Sequence, residues 1–337
     1  MKRLFWSILG FFGLAVSLTA QRLDLSWPTP NPAFEQGKSG AVIFQDTGTG
    51  DPSSGGFGGV RSSGRQFHEG IDIKAMARDR RGESTDLVFA AIDGVVAYVN
   101  PKVGDSNYGR YVVLEHPAQS PAIYTLYAHL ASVAPGIRTG AVVQHGQTLG
   151  VMGRSSSGRP IPRERAHLHF EMGLWVTRDF QSWYNWKKFG SPNEHGVYNG
   201  MNLMGFDPMD FFQARRTGRI NTMQDYFTQM RPVVRLRIAT SKMPDFVQRY
   251  PVLVTRSLPM LVAGWEIECN WTGLPFRWTP LGAKDVAGMR HNEVRILYVD
   301  EGVERREKSK NLVASRHGNW VPGNDLTTVL QLLFGLR

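Results

Sequence analysis

The 337-residue chain has one cysteine, Cys269. No disulfide can form within it, and a chain of this length buries enough core to do without one. A lone cysteine among apolar neighbours reads as a small buried hydrophobe rather than a nucleophile. Beyond Ala20 no apolar run is long enough to cross a bilayer. Acids are the minority charge, 29 Asp and Glu against 39 Lys and Arg, for a formal charge of +10. That imbalance points to anionic partners. No nucleic-acid-binding motif accompanies it, so nucleic acid is not the expected partner. No internal repeat is present, and no long helical pattern interrupts the first two thirds of the chain.

The N-terminus has what the rest lacks. Lys2 and Arg3 precede an apolar run, LFWSILGFFGLAVSLTA, that ends at Ala20. A charged start, apolar middle and small-residue exit make residues 1–20 a signal peptide. A retained anchor is the alternative, but the run is short for a spanning helix and Gly10 and Gly13 interrupt it. No cysteine follows Ala20, which argues against a lipoprotein. The expected location is outside the cytoplasm, in the periplasm or envelope or secreted, with no membrane span once the leader is removed.

After a Pro-rich entry, SWPTPNP, comes a Gly/Ser tract at 47–64 that reads as a mobile loop. Short runs follow, including GIDIKA, RYVVLEH, AIYTLYAHL and AHLHFEMGLWV. Their period-2 alternation and Gly punctuation predict a mainly β, antiparallel region. FDPMDFFQARRTG predicts a short closing helix, with Asp207 as cap and Pro208 in its first turn. From about 226 the texture changes. VVRLRIAT, YPVLVTR, MLVAGWEIECNW, PFRWTPL and EVRILYVDEG read as strands and DLTTVLQLLFGLR as a helix. The expected organisation is residues 21–213 as one domain, 214–225 as a linker, and 226–337 as a smaller β-rich or α+β domain of unknown role.

The chemistry concentrates in RAHLHFEMG, residues 165–173. On a strand, alternate side chains share a face, so His167, His169 and Glu171 point one way and Leu168 and Phe170 the other. Two close imidazoles repel when protonated; a divalent metal is the usual reason to pair them. The alternative is two half-exposed strand histidines, and His-x-His alone does not decide. His68 precedes Asp72 by four residues with Gly70 between. That even spacing returns both side chains to one face, and the glycine permits a bend that closes them on one ion. Imidazole and carboxylate are both zinc ligands. His129 ends the run YTLYAH and by itself is more often structural than catalytic.

Taken in order, HEGID (68–72), YAHL (127–130), the Gly-rich GQTLGVMGRSSSG (146–158) and HLHFE (167–171) resemble the lysostaphin-type, or LytM-like, zinc endopeptidases of bacterial cell walls. The flanks AAIDGVV (90–96), NYGRYVVLEH (107–116) and FDP (206–208) agree. The resemblance covers residues 25 to 213. It implies an antiparallel β-sheet groove domain in which His68, Asp72 and His169 hold zinc. His129 and His167 would be unliganded catalytic histidines, and the substrate the peptides of peptidoglycan. Three protein ligands leave a fourth position for water, whose pKa zinc lowers to about 7. Glu171 is open to two readings: a partner that orients a ligand imidazole, or, more simply, a solvated or salt-bridged strand residue.

Two basic stretches depart from the family pattern, MARDRRGESTD (76–86) and RPIPRERA (159–166). They bear on groove walls and substrate preference rather than on the metal residues. The rival expectation is a non-catalytic module that binds the wall or activates another hydrolase. Retention of all five residues favours the enzyme. The C-terminal aromatics, GWEIECNWTGLPFRW (264–278), are either core or a glycan-binding surface. The Pro-rich entry is a candidate to cover the groove, with only Asp24 and Asn31 to offer a metal. Oligomeric state is not legible.

Overall fold

The structure, a computed structural model, describes residues 23–337; the leader expected at 1–20 lies outside the described residues. The first strands are β1 (Gly58–Arg61), β2 (Gln66–His68), β3 (Ile71–Lys74), β4 (Leu87–Phe89), β5 (Gly94–Asn100) and β6 (Tyr111–Glu115). They are followed by β7 (Tyr124–Ala128), β8 (Ser132–Val133), β9 (Val142–Val143), β10 (Thr148–Val151), β11 (His167–Trp175) and β12 (Leu203–Phe206). All pair antiparallel, as the alternation predicts. The largest sheet runs β12-β11-β7-β6-β5-β9. Along β11, β7 occupies one edge while β3 and β12 lie end to end on the other.

That placement buries β11 on both faces; only Trp175 is partly exposed. Leu168, Phe170, Met172 and Leu174 enter the apolar core with Ile71, Ile73 and Val112. Each such side chain contributes about 1.5–3 kcal/mol by leaving water. The opposite face of the same strand therefore has to hold His167, His169 and Glu171 away from solvent as well.

The Gly/Ser tract differs from the expected loop. Asp51 accepts the Ser53 N–H and caps a turn at Pro52–Gly55. The chain then enters β1, which pairs with β2. The glycines serve close approach: a Cβ on Gly55 would stand 2.2 Å from the Gln45 carbonyl oxygen.

The helices are α1 (Gly40–Ile43), α2 (Phe180–Lys187), α3 (Pro208–Arg216) and α4 (Met223–Thr228). Asp207 accepts the Met209 N–H at 2.8 Å and caps α3, as its sequence predicts. Beyond them lie β13 (Val234–Ile238), α5 (Asp245–Arg249), β14 (Gly264–Cys269), β15 (Pro275–Leu281), β16 (Val294–Val299) and α6 (Glu301–Arg306). The chain ends with the hairpin β17 (Val313–Arg316) and β18 (Asn319–Pro322), and α7 (Asn324–Phe334). The second main sheet has the order β15-β14-β13-β16.

YPVLVTR is not a strand. Tyr250 N–H still bonds back to Phe246, and Pro251, with no donor, opens a 3-10 turn at Pro251–Leu253. Trp265 and Trp278 are fully buried and meet edge to face at 5.7 Å. They are core and offer no glycan surface. Cys269 is buried, and burial pushes its thiol up to about 12.

One apolar core runs from Leu23 through both sheets to Phe334. Arg249 ties α5 to the end of β11. Its guanidinium donates to the Trp175 and Val176 carbonyls at 3.0 and 2.9 Å, pairs with Asp245 at 2.8 Å, and stacks 3.5 Å from the Trp175 ring. No helix of the described residues is long and apolar enough to cross a membrane.

Candidate metal centre

The register of β11 against β3 sets Asp72 opposite His169, and β2 brings His68 to the same point. His68 Nε2, His169 Nδ1 and Asp72 Oδ1 form a near-equilateral triangle: 3.0 Å between the imidazoles, 3.1 and 3.0 Å from each to the carboxylate. Among the described residues this is the group of His, Cys, Asp and Glu that could hold a metal ion. Ligands about 2.0–2.1 Å from a tetrahedral zinc stand about 3.3 Å from one another. The donor types and their spacing fit that ion.

The remaining nitrogens of the His68 and His169 rings are already committed. His68 Nδ1–H donates to the Gly56 carbonyl at 2.6 Å. His169 Nε2–H donates to Glu171 Oε1 at 2.9 Å. Each acceptor selects the tautomer whose lone pair faces the triangle. Glu171 is thus the orienting partner and not a solvated strand residue. It is 1% exposed, with Tyr108 and Tyr124 hydroxyls donating to its two oxygens at 2.6 and 3.0 Å. The solvated reading failed because β11 is covered on both faces, which alternation along one strand cannot reveal.

The electrostatics demand positive charge. Burial by itself would push His169 down, yet hydrogen bonds to Asp72 and Glu171 outweigh it and raise it to about 10. Burial alone would raise Asp72, but the His68 and His167 rings and the His169 hydrogen bond hold it well below the usual carboxylate range. Glu171, likewise opposed by burial, is held low by His169 and the two tyrosines. Two buried carboxylates around one imidazole favour a cation between them, a proton or a metal.

His167 and His129 stand beside the triangle. His167 Nε2 lies 3.5 Å from Asp72 Oδ1, while its Nδ1–H donates to the Arg165 carbonyl at 2.7 Å. His129 has a left-handed backbone, φ 61, held by its N–H on the Tyr108 carbonyl and its Nδ1–H on the Ser155 carbonyl at 2.8 Å. Its ring centre is 4.8 Å from that of His167 and 5.8 Å from that of His169. Both rings therefore present an unprotonated Nε2. Burial, reinforced by the neighbouring imidazoles, lowers both pKa values, His129 well below its ordinary range. All five residues expected at the site come together.

The structure adds residues that sequence reasoning missed. Arg61, in the Gly/Ser tract, donates Nη2–H to Asp72 Oδ2 at 2.6 Å. The Gly56, Arg165 and Ser155 carbonyls carry no side-chain signal at all; for Arg61 the only cue is a lone arginine in a tract read as loop. The two departing stretches meet beside His167. Glu83 pairs with Arg154 at 2.9 Å and with Arg163 at 2.8 Å, tying 76–86 to 159–166. The Pro-rich entry lies elsewhere. Asp24 borders a pocket with His145 and Arg215, and the Asn31 side-chain Oδ1 accepts the Ala33 N–H.

Residues 66–179 match the model of peptidase family M23. No curated protein matches the chain. Among solved structures it is similar to the catalytic domain of the antimicrobial peptidase lysostaphin from Staphylococcus simulans. There the identity is 20% over 47% of this chain and 89% of that one, with a TM-score of 0.29. It is also similar to the catalytic domain of the prophage-encoded M23 protein EnpA from Enterococcus faecalis (23% identity, 35% and 77% covered, TM-score 0.27). A zinc-containing peptidase from Vibrio cholerae is similar at 21% identity (45% and 33% covered, TM-score 0.24). The lysostaphin-type resemblance read from the sequence holds for the metal-site region. The family match leaves out the tract at 47–64 and everything after 179.

Proposed function

We propose that this chain is an exported zinc metalloendopeptidase that hydrolyses peptide bonds in bacterial peptidoglycan, in cross-links or bridges. The observation that carries the reading is the triangle of His68 Nε2, His169 Nδ1 and Asp72 Oδ1, flanked by two further histidines with free Nε2 atoms. The three triangle atoms would hold the metal. When bound, zinc supplies a Lewis acid that polarises the scissile carbonyl and acidifies the attacking water.

The chain's own residues do the rest. Glu171, clamped by Tyr108 and Tyr124, keeps the His169 ring aimed. His129 and His167 cannot give up their Nδ1 protons to solvent, because backbone carbonyls hold them. Their lowered pKa values leave Nε2 unprotonated, and so open to a proton, at neutral pH. One can accept the proton of the attacking water, and a protonated partner can donate to the departing amine. The basic surface suits an anionic wall polymer.

The test is to purify residues 21–337, measure bound zinc, and examine digests of cell-wall sacculi by mass spectrometry. Stoichiometric zinc and new muropeptide termini are expected. Protein without zinc, inert on sacculi after zinc is restored, removes the reading.

A further inference from the structure

We infer that Arg61 is a positioning residue for the metal site: it holds Asp72 so that a single carboxylate oxygen faces the ion. The inference rests on the metal reading above, and it concerns a residue outside the family match at 66–179.

The two oxygens of Asp72 have separate work. Oδ1 faces the imidazoles, 3.1 Å from His68, 3.0 Å from His169 and 3.5 Å from His167. Oδ2 faces away and receives Arg61 Nη2–H at 2.6 Å. The guanidinium is itself anchored, since Nε–H donates to the Ser54 carbonyl at 3.2 Å. A planar fork held at two points fixes direction as well as distance. With Oδ2 committed to Arg61, the buried carboxylate does not rotate to offer both oxygens, and neither oxygen is left unpaired.

The Gly/Ser tract exists in the form that this requires. The tract delivers two site contacts from six residues, the Gly56 carbonyl to His68 and Arg61 to Asp72. Its far side rests on the C-terminal region. Gly58 has φ +100, and a Cβ there would stand 2.5 Å from the Trp271 ring. Trp271 also meets Phe57 and Phe67 at 5.5 and 5.8 Å. The tract is thus pressed between Trp271, in the turn joining β14 to β15, and the strands that carry His68 and Asp72. Its sequence is glycine-rich because two surfaces close on it.

The opposing effect is Coulombic. A guanidinium beside the site repels a divalent ion, so a merely blocking arginine would weaken metal binding and its removal would strengthen it. Positioning predicts the reverse sign.

The experiment uses the full mature chain and three variants, Arg61→Ala, Arg61→Gln and Arg61→Lys, each checked by circular dichroism. Zinc affinity of the metal-free proteins is measured by competition with a chromophoric chelator. Cobalt(II) spectra of the same proteins report coordination number without reference to activity. Expected are a loss of about 10–100-fold in zinc affinity for Arg61→Ala and Arg61→Gln, and a weaker, shifted cobalt band as the second oxygen enters. Arg61→Lys, with charge but no fork, restores only part. Unchanged affinity and an unchanged cobalt spectrum in a folded variant overturn the inference; so does a rise in affinity. If Arg61→Ala does not fold, Arg61→Gln decides. Wild-type protein that binds no zinc defeats the functional reading itself, whereas zinc-loaded, active wild type with indifferent Arg61 variants defeats only this inference.

Discussion

Strands β11 and β14 are both central, antiparallel and polar at alternate positions, yet they end in opposite roles. In β14 the alternate residues Glu266 and Glu268 face arginines across the ladder. Glu266 is opposite Arg237, and Glu268 lies between Arg235 and Arg277. These pairs are part-exposed, and such pairs contribute little each. The buried partners are Trp265, Ile267 and Trp278. In β11 the polar face is covered, so His167, His169 and Glu171 have to be satisfied from within the protein. They are satisfied by carbonyls, phenols and one aspartate. The same alternation gives surface ion pairs when its polar face meets water and a cluster of buried, mutually bonded titratable groups when it does not. Burial of those groups opposes stability unless each is paired within the protein.

The sharpest way to break this comparison is to delete a ligand. His169→Ala or Asp72→Ala is expected to abolish zinc binding and to reduce wall hydrolysis by far more than the about 100-fold that loss of an orienting partner costs. Circular dichroism stays native, because the core on the other face of β11 is untouched. The mirror experiment is Trp278→Ala. It removes a fully buried side chain and costs about 3–5 kcal/mol in thermal or denaturant unfolding, with zinc bound per folded molecule unchanged.

Arg249→Ala tests the joint between the two regions. Stripping a buried guanidinium from two carbonyls, a carboxylate and an aromatic face is expected to cost about 3 kcal/mol and to split a single calorimetric transition in two. Glu171→Gln sharpens the site itself. It frees His169 to take the wrong tautomer, and zinc affinity drops about 10–100-fold with stability little changed.

The smallest expected effect is Asp207→Asn. Burial raises the Asp207 carboxyl to about 6, against the pull of the Asp210 and Met209 N–H groups. A raised carboxyl binds its proton more tightly in the fold, so it contributes stability at low pH that is lost as pH rises through 4 to 6. Asparagine keeps the cap without the charge. The variant is therefore more stable than wild type at pH 8 by about 1–2 kcal/mol, with no difference below about pH 4. Urea titrations at the two pH values measure it.

Much of the metal region was legible because its chemistry is carried by side chains at fixed spacing. His68, Asp72, His129, His167 and His169 were all readable, as were the strands that bear them and the Asp207 cap of α3. Glu171 was left between two readings, since one strand's alternation says which face a residue is on and nothing about what covers that face. Arg61 was missed because a glycine tract has the same composition whether it moves freely or is squeezed between Gln45 and Trp271. YPVLVTR was misread because β-branched residues and a proline fit either a strand end or a turn. The core position of Trp265 and Trp278 was one of two open readings.

By itself, then, the sequence determined which side chains are available and in what order: three ligand-type residues, two spare histidines, a single thiol and a basic surface. Covalent spacing along a strand sets those, and no packing alters it. Only the tertiary structure decided that Asp72 presents one oxygen to the imidazoles and the other to Arg61, which nitrogen of each ring is free, and that the turn between β14 and β15 braces the tract. Those depend on contacts between residues from seven to about two hundred positions apart. Local propensity does not encode them, and they arise only when hydrophobic burial brings distant segments face to face.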